Sequence, residues 1–159
     1  ARIVAAHHDD LSRVAFVVTR DVDLAQEAVQ EAWTTAWRQL PRLRERDKLR
    51  QWLVAIAANQ ARQVMRRTRR RAIVEINVDD AGRSAASDTA AGGERWADDL
   101  DLRDALAHLS ADDRALLALR YVAGLDSTEL AHFTGLSPSG TRARLARLLA
   151  ELRKELSHA

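Results

Sequence analysis

Between Glu31 and Trp52 the sequence reads EAWTTAWRQLPRLRERDKLRQW. Trp33, Trp37 and Trp52 stand there among Arg38, Arg42, Arg44, Arg46, Lys48 and Arg50. A core uses aromatics but not charges, and a solvated helix uses charges but not aromatics. Nucleic acid uses both, because cations neutralise phosphates and unstacked bases need flat or pocketed surfaces. The run continues with Asn59, Arg62, Arg66, Arg67 and Arg69 to Arg71. From Pro41 to Arg71 there are eleven Lys/Arg against two Asp/Glu, and from Ala72 to Ala105 three against nine. The formal net charge of +2 therefore hides a basic block followed by an acidic one, and it is the asymmetry that speaks about partners. Bland readings compete. The terminal arginines suit a helix C-terminus, where cations meet the dipole favourably. Trp33 and Trp37, one turn apart, suit a core or a protein interface. Trp52 stays open between core and base pocket.

Other candidate chemistry is thinner. His7 to Asp10 (HHDD) offers metal-ligand types in a row, but adjacent residues on a helix do not share a face, and no second ligand cluster accompanies them. The segment reads as solvated and no metal is expected. There is no cysteine, which excludes disulfides and thiolate sites. No phosphate-binding glycine loop, nucleophile elbow or paired-carboxylate arrangement stands out, so no catalytic residue, enzyme activity or cofactor is expected. No apolar run approaches membrane-spanning length and no signal peptide is visible, which gives a cytoplasmic reading without membrane insertion.

These residues must be positioned by helices. Glycine and proline are scarce, while Ala, Leu and Arg, which lose little rotamer freedom in a helix, are abundant. Apolar residues recur at helical spacing over Ile3–Val18, Leu24–Leu40 and Leu49 to about Arg70. Pro41 ends the second of these, and Arg42–Lys48 reads as a charged loop. From Ala72 to Glu94 the periodicity fails: AGRSAASDTAAGG is small and polar and predicts a flexible linker. The β-branched run IVEINV has strand composition but no second strand to pair with. After Arg95 helix signals return over Asp98–Leu109, Ala111–Val122, Ser127–Thr134 and Pro138–Leu156. Ser110, Asp126 and Ser137 are N-caps, Glu129 completes a capping box, and Pro138 takes the first helical position. Gly124 and Gly135 stand where helices stop.

Two short helices joined at Gly135 suggest a helix-turn-helix, with Leu125, Leu130, Ala131, Phe133, Leu136, Leu145 and Leu148 as its core. The second helix then presents Ser139, Thr141, Arg142, Arg144 and Arg147 to a major groove, where arginine reads guanine edges. The alternative is a plain helical hairpin with solvated arginines. The fold class is all-α: two small helical domains, residues 1–71 and 95–159, joined by an acidic linker at 72–94.

Taken in order, these motifs resemble the extracytoplasmic-function class of bacterial sigma factors. DVDLAQEAVQEAWTTAWRQL is similar to that family's polymerase-binding helix, with Glu27, Gln30, Glu31 and Trp33 at its signature positions and Trp37 beside them. LRQWLVAIAANQARQVMRR is similar to the helix that engages the −10 element, and the segment from Leu109 to Leu152 to the domain that reads the −35 element. Glu27 stands where Asp is usual, Leu49 where an aromatic often stands, and Gly140 and Thr141 where Thr and Val are typical. The resemblance implies binding rather than catalysis. Glu27, Gln30, Glu31, Trp33 and Trp37 would meet core RNA polymerase, with Gln30 and Glu31 free on the polar side of their helix. Arg44, Arg46, Lys48, Arg50, Trp52, Asn59, Arg62 and Arg66 would hold the melted −10 strand. Ser139, Thr141, Arg142, Arg144 and Arg147 would read −35 duplex. An anti-sigma factor is a further expected partner. Two other classes compete: a stand-alone helix-turn-helix regulator, which lacks an obvious dimerisation helix here, and a nucleic-acid-processing enzyme, which lacks a metal or nucleophile site.

The linker composition generates the first prediction. Limited proteolysis should cut first within Ala81–Gly93, because such a sequence cannot bury enough apolar area to offset ordering. First cuts within Leu24–Leu40 or Ser110–Leu148 would contradict the two-domain organisation.

Overall fold

The computed structural model describes residues 1–78 and 97–158. The expected proteolytic segment lies outside them. Every regular element among the described residues is helical: α1 (Arg2–Thr19), α2 (Val22–Gln39), α3 (Leu49–Val78), α4 (Ala97–Ala107), α5 (Ala111–Leu117), α6 (Ser127–Thr134) and α7 (Pro138–Ser157). Two 3-10 turns, Leu40–Arg42 and Arg46–Lys48, punctuate the charged loop.

Local chemistry explains the ends. Arg20, in the left-handed region at φ 57°, closes α1 by donating its N–H to the Phe16 carbonyl at 2.7 Å. Asp21 then caps α2, its Oδ1 accepting the Leu24 N–H at 2.9 Å. The run IVEINV forms the last turns of α3 and not a strand; with no strand to pair with, its N–H groups bond back along the helix. So α3 passes the boundary expected at Arg71, while Ile73, Val74 and Ile76 stay exposed. The expected helix Ala111–Val122 is α-helical only to Leu117 and then widens into a π turn over Ala118–Val122. There the Ala123 N–H bonds the Ala118 carbonyl, and Arg120 reaches forward to the Leu125 carbonyl at 3.0 Å.

Packing follows the periodicity. Leu11, Val14, Ala15 and Val18 of α1 bury against Ala28, Ala32 and Ala36 of α2 and Leu53, Val54, Ala57, Ala61 and Val64 of α3. The alanines let the three backbones approach closely. In the second half, Leu116, Leu119, Leu125 and Leu130 meet Leu145, Leu148 and Leu152 of α7. The two halves are not separate bodies in this conformation: α1 and α3 pack on α5 and the π turn, and the buried residues form one cluster.

One charged side chain lies inside this junction. Arg114 of α5 is only 6% exposed, and its guanidinium bonds backbone carbonyls rather than a carboxylate. Its guanidinium donates to the carbonyls of Val18 (2.9 Å), Leu106 (3.4 Å) and Leu109 (2.5 Å). Val18 and Leu106 lie in the last turns of α1 and α4, where helices leave acceptors short of partners, and Leu109 lies in the turn that follows α4. Burial, with Arg20 and Arg69 adding repulsion, pushes its pKa below the usual arginine value.

Arg114→Leu removes the cation but takes from the Val18 and Leu109 carbonyls their side-chain donor, so the loss outweighs the relief of desolvation. Urea unfolding should show a loss of about 1.5–3 kcal/mol, the range of hydrogen bonds to charged groups. An unchanged midpoint would show that Arg114 fills space and holds nothing.

Candidate nucleic-acid interface

The basic loop and the start of α3 form one wall of an open cleft of about 760 Å³. Arg42, Arg44, Lys48, Trp52 and Asn59 line that wall; Leu125, Glu129, His132 and Phe133 of the second half line the other. Arg44, Arg46 and Lys48 are exposed, and among the described residues Arg44 and Arg46 carry no ion pair. Lys48 pairs with Glu45, three residues away, which holds its ammonium above the usual lysine range. Trp52 packs against the core and also lines the cleft.

The other expected −10 cations are already engaged. Arg50 donates to Asp10 at 3.0 Å and to the Ala123 carbonyl. Arg62 donates to Asp112 at 2.6 Å and to the Asn59 side chain at 3.2 Å, and its guanidinium lies 5.2 Å from the centre of the Phe133 ring. Arg66 approaches Asp112 at 3.7 Å. The hydrogen bond from Arg62 is the main reason that the Asp112 carboxyl lies below the usual carboxylate range; partial burial opposes this, and the nearby cations add to it. Asp112, Phe133 and the Ala123 carbonyl come from the second half and Asp10 from α1, so no local spacing in the sequence disclosed them.

In the helix-turn-helix, Asp126 and Glu129 make the reciprocal capping box at 2.9 and 3.3 Å. Gly135 ends α6 at φ 72°, where a side chain would be strained, and Ser137 Oγ accepts the Gly140 N–H at 3.1 Å to start α7. Ser139, Arg142 and Arg147 are exposed as expected. Thr141 is not: it is fully buried, its hydroxyl 3.2 Å from that of Thr134. The reason is periodicity, since Thr141, Leu145, Leu148 and Leu152 form one stripe facing the core, a signal that was present in the sequence. Arg144 is half-buried and donates through Nε and a terminal nitrogen to Asp113 Oδ1, at 3.1 and 2.6 Å. Leu136, expected in the core, is 42% exposed because it sits in the turn.

On α2, Gln30 is exposed, but Glu31 is not free. Glu27 and Glu31, four residues apart, share Arg67 of α3 at 3.3 and 2.7 Å. Arg67 is thus a member of this surface that the sequence reading missed. The rings of Trp33 and Trp37 lie 6.3 Å apart, and Trp37 is 47% exposed. Trp33 donates its indole N–H to His8 Nδ1 at 3.2 Å. With Asp10 bound to Arg50, HHDD is therefore not a merely solvated segment but part of the α1–α2–α3 contacts. A groove of about 450 Å³, walled by Phe16, Val22, Val29, Gln30 and Trp33, runs between α1 and α2. Among the described residues, no group of three His, Cys, Asp or Glu could hold a metal, and no helix is long and apolar enough to cross a membrane.

Comparison with known proteins agrees with this layout. Residues 3–71 match the family model described as Sigma-70 region 2, and residues 99–152 that described as Sigma-70, region 4. A probable RNA polymerase sigma factor, RfaY, from Xanthomonas campestris is 34% identical over 158 residues; the match covers 98% of this chain but 40% of that protein. The ECF RNA polymerase sigma factor SigL of Mycobacterium tuberculosis is 29% identical, covering 98% of this chain and 90% of the relative. Among solved structures, the sigma factor RpoE in complex with the anti-sigma factor NepR, from Bartonella quintana, superposes with a TM-score of 0.75 at 22% identity, covering 98% of this chain and 95% of the other. That likeness establishes the fold.

The burial of Thr141 has a direct test. Thr141→Val keeps the shape and loses one hydrogen bond, so thermal unfolding should show a loss of no more than about 1 kcal/mol. Binding to duplex DNA should not change. Weaker duplex binding at unchanged stability would restore Thr141 to the reading surface.

Proposed function

Because this chain belongs to the extracytoplasmic-function class of sigma factors, we propose that it binds core RNA polymerase in the cytoplasm and directs promoter-specific transcription initiation. The observation that carries the reading is a capped recognition helix presenting Ser139, Arg142 and Arg147 in the same chain as a cation-lined cleft at Trp52 and Asn59. The helix suits the major groove of −35 duplex, where a bidentate arginine discriminates a base by roughly 1–3 kcal/mol. The cleft suits an unstacked base of the melted −10 strand, with Arg44 and Arg46 for its phosphates. The polymerase surface is then α2, through exposed Gln30, the Trp33–Trp37 pair and the groove beside them. Glu27 and Glu31 contribute with Arg67 as a bound unit. The protein's work is binding: it selects DNA and holds it open, and the polymerase performs the chemistry. An anti-sigma factor is the further partner proposed, in keeping with the fold shared with an anti-sigma-bound relative.

Run-off transcription with core polymerase tests this directly. Adding the protein should yield promoter-specific transcripts; their absence across a broad set of promoter templates would refute the reading. Within the active complex, Arg142→Ala should weaken binding to −35 duplex and be largely rescued on a pre-melted bubble. Asn59→Ala should spare the duplex and weaken single-stranded −10 binding. Equal loss on every template would replace two readers by one diffuse basic surface.

A further inference from the structure

Asp112 and Asp113 are neighbours in the first turn of α5, where the helix dipole favours carboxylates, and Ser110 caps that turn through the Asp113 N–H at 3.1 Å. Their carboxylates diverge. Asp112 engages Arg62 and Arg66 of α3; Asp113 engages Arg144 of α7. All three arginines belong to the sets assigned above to DNA, two to the melted strand and one to the duplex. Arg62 also covers the Phe133 ring, an aromatic that lines the cleft. Each carboxylate therefore presents an anionic oxygen to a guanidinium, the same chemistry a phosphate would supply.

We propose that this acidic pair is an internal phosphate mimic, which masks Arg62 and Arg66 on one DNA-reading surface and Arg144 on the other until a true phosphate displaces it. The inference rests on the proposed function, that these arginines meet DNA. The strength of the contacts suits a displaceable latch. Arg62 and Asp112 are 21% and 47% exposed, and Arg144 and Asp113 are 29% and 25% exposed, so these are neither free surface pairs nor sealed buried ones. DNA, which offers many phosphates along one strand, outcompetes a single carboxylate at each arginine.

A second role for Asp113 has to be separated from masking. Asp113 and Arg144 both lie in the second half, so the pair could instead aim Arg144 at the groove. The two roles predict opposite signs. If Asp113 masks, Asp113→Asn strengthens duplex binding; if it positions, the same change weakens it.

The test uses the free full chain and anisotropy of a fluorescein-labelled mixed-sequence single strand and its duplex. Asp112→Asn should bind the single strand about two- to fivefold more tightly, the scale of one partly exposed ion pair, with a steeper salt dependence as arginines are freed. Asp112→Ala, with a good helix former at the same position, should do the same. Asp113→Asn should gain similarly on the duplex. The Asp112→Asn gain should vanish when Arg62 and Arg66 are both already Ala, because Asp112 then has neither arginine left to mask. Wild-type affinity in both Asp112 variants, or weaker duplex binding by Asp113→Asn, would overturn the mimic while leaving promoter recognition intact. If Arg62→Ala had no effect even in the polymerase–promoter complex, the assignment of Arg62 to DNA would fall, and the mimic with it.

Discussion

A guanidinium sealed among carbonyls holds the conformation together. Arg114 has brought a full charge into a site where an unpaired ion would be very costly, and its hydrogen bonds go to carbonyls rather than to a carboxylate. It persists because three backbone acceptors converge on it from the ends of α1 and α4. Those acceptors need it equally, since helix ends buried without donors are themselves unstable. The contact joins the first half of the chain to the second at one point, and the apolar surfaces of α1, α5 and the π turn close around it. The cleft at Trp52 gains its second wall, with Phe133, from the same approach.

The consequence is a chain whose two halves are each suited to DNA but meet across the faces they would use. Arg50, Arg62 and Arg66 turn toward the second half, and Arg144 is tied back by Asp113. The α2 surface proposed for polymerase lies elsewhere, so Gln30 and Trp37 are exposed without parting the halves. Docking first and DNA capture second is the order that this arrangement favours.

What the sequence disclosed and what it hid divide along one physical line. Helix positions were legible because periodicity, N-caps and helix-stopping glycines act over a few residues; the caps at Ser110, Asp126 and Ser137 all form. Chemistry set by distant partners was not legible. Asp112 lies fifty residues from Arg62, Asp10 forty from Arg50, and Glu27 forty from Arg67. Thr141 is a different case: its place on the stripe with Leu145 and Leu148 was readable, but a polar side chain beside arginines drew the reading toward the surface. The IVEINV run shows local composition overridden, because β-branched residues at the end of a long helix have no strand to join.

The central claim is that the halves pack together in the free protein and separate to read a promoter. The chain has no cysteine, so a donor and an acceptor dye can be placed uniquely at Gln63→Cys on α3 and Ala146→Cys on α7, both exposed positions. Energy transfer between them, measured on the free chain and on its complex with core polymerase and promoter DNA, reports the separation. The account predicts high transfer in the free chain and a clear fall in the complex. Transfer that stayed the same in an active complex would contradict it.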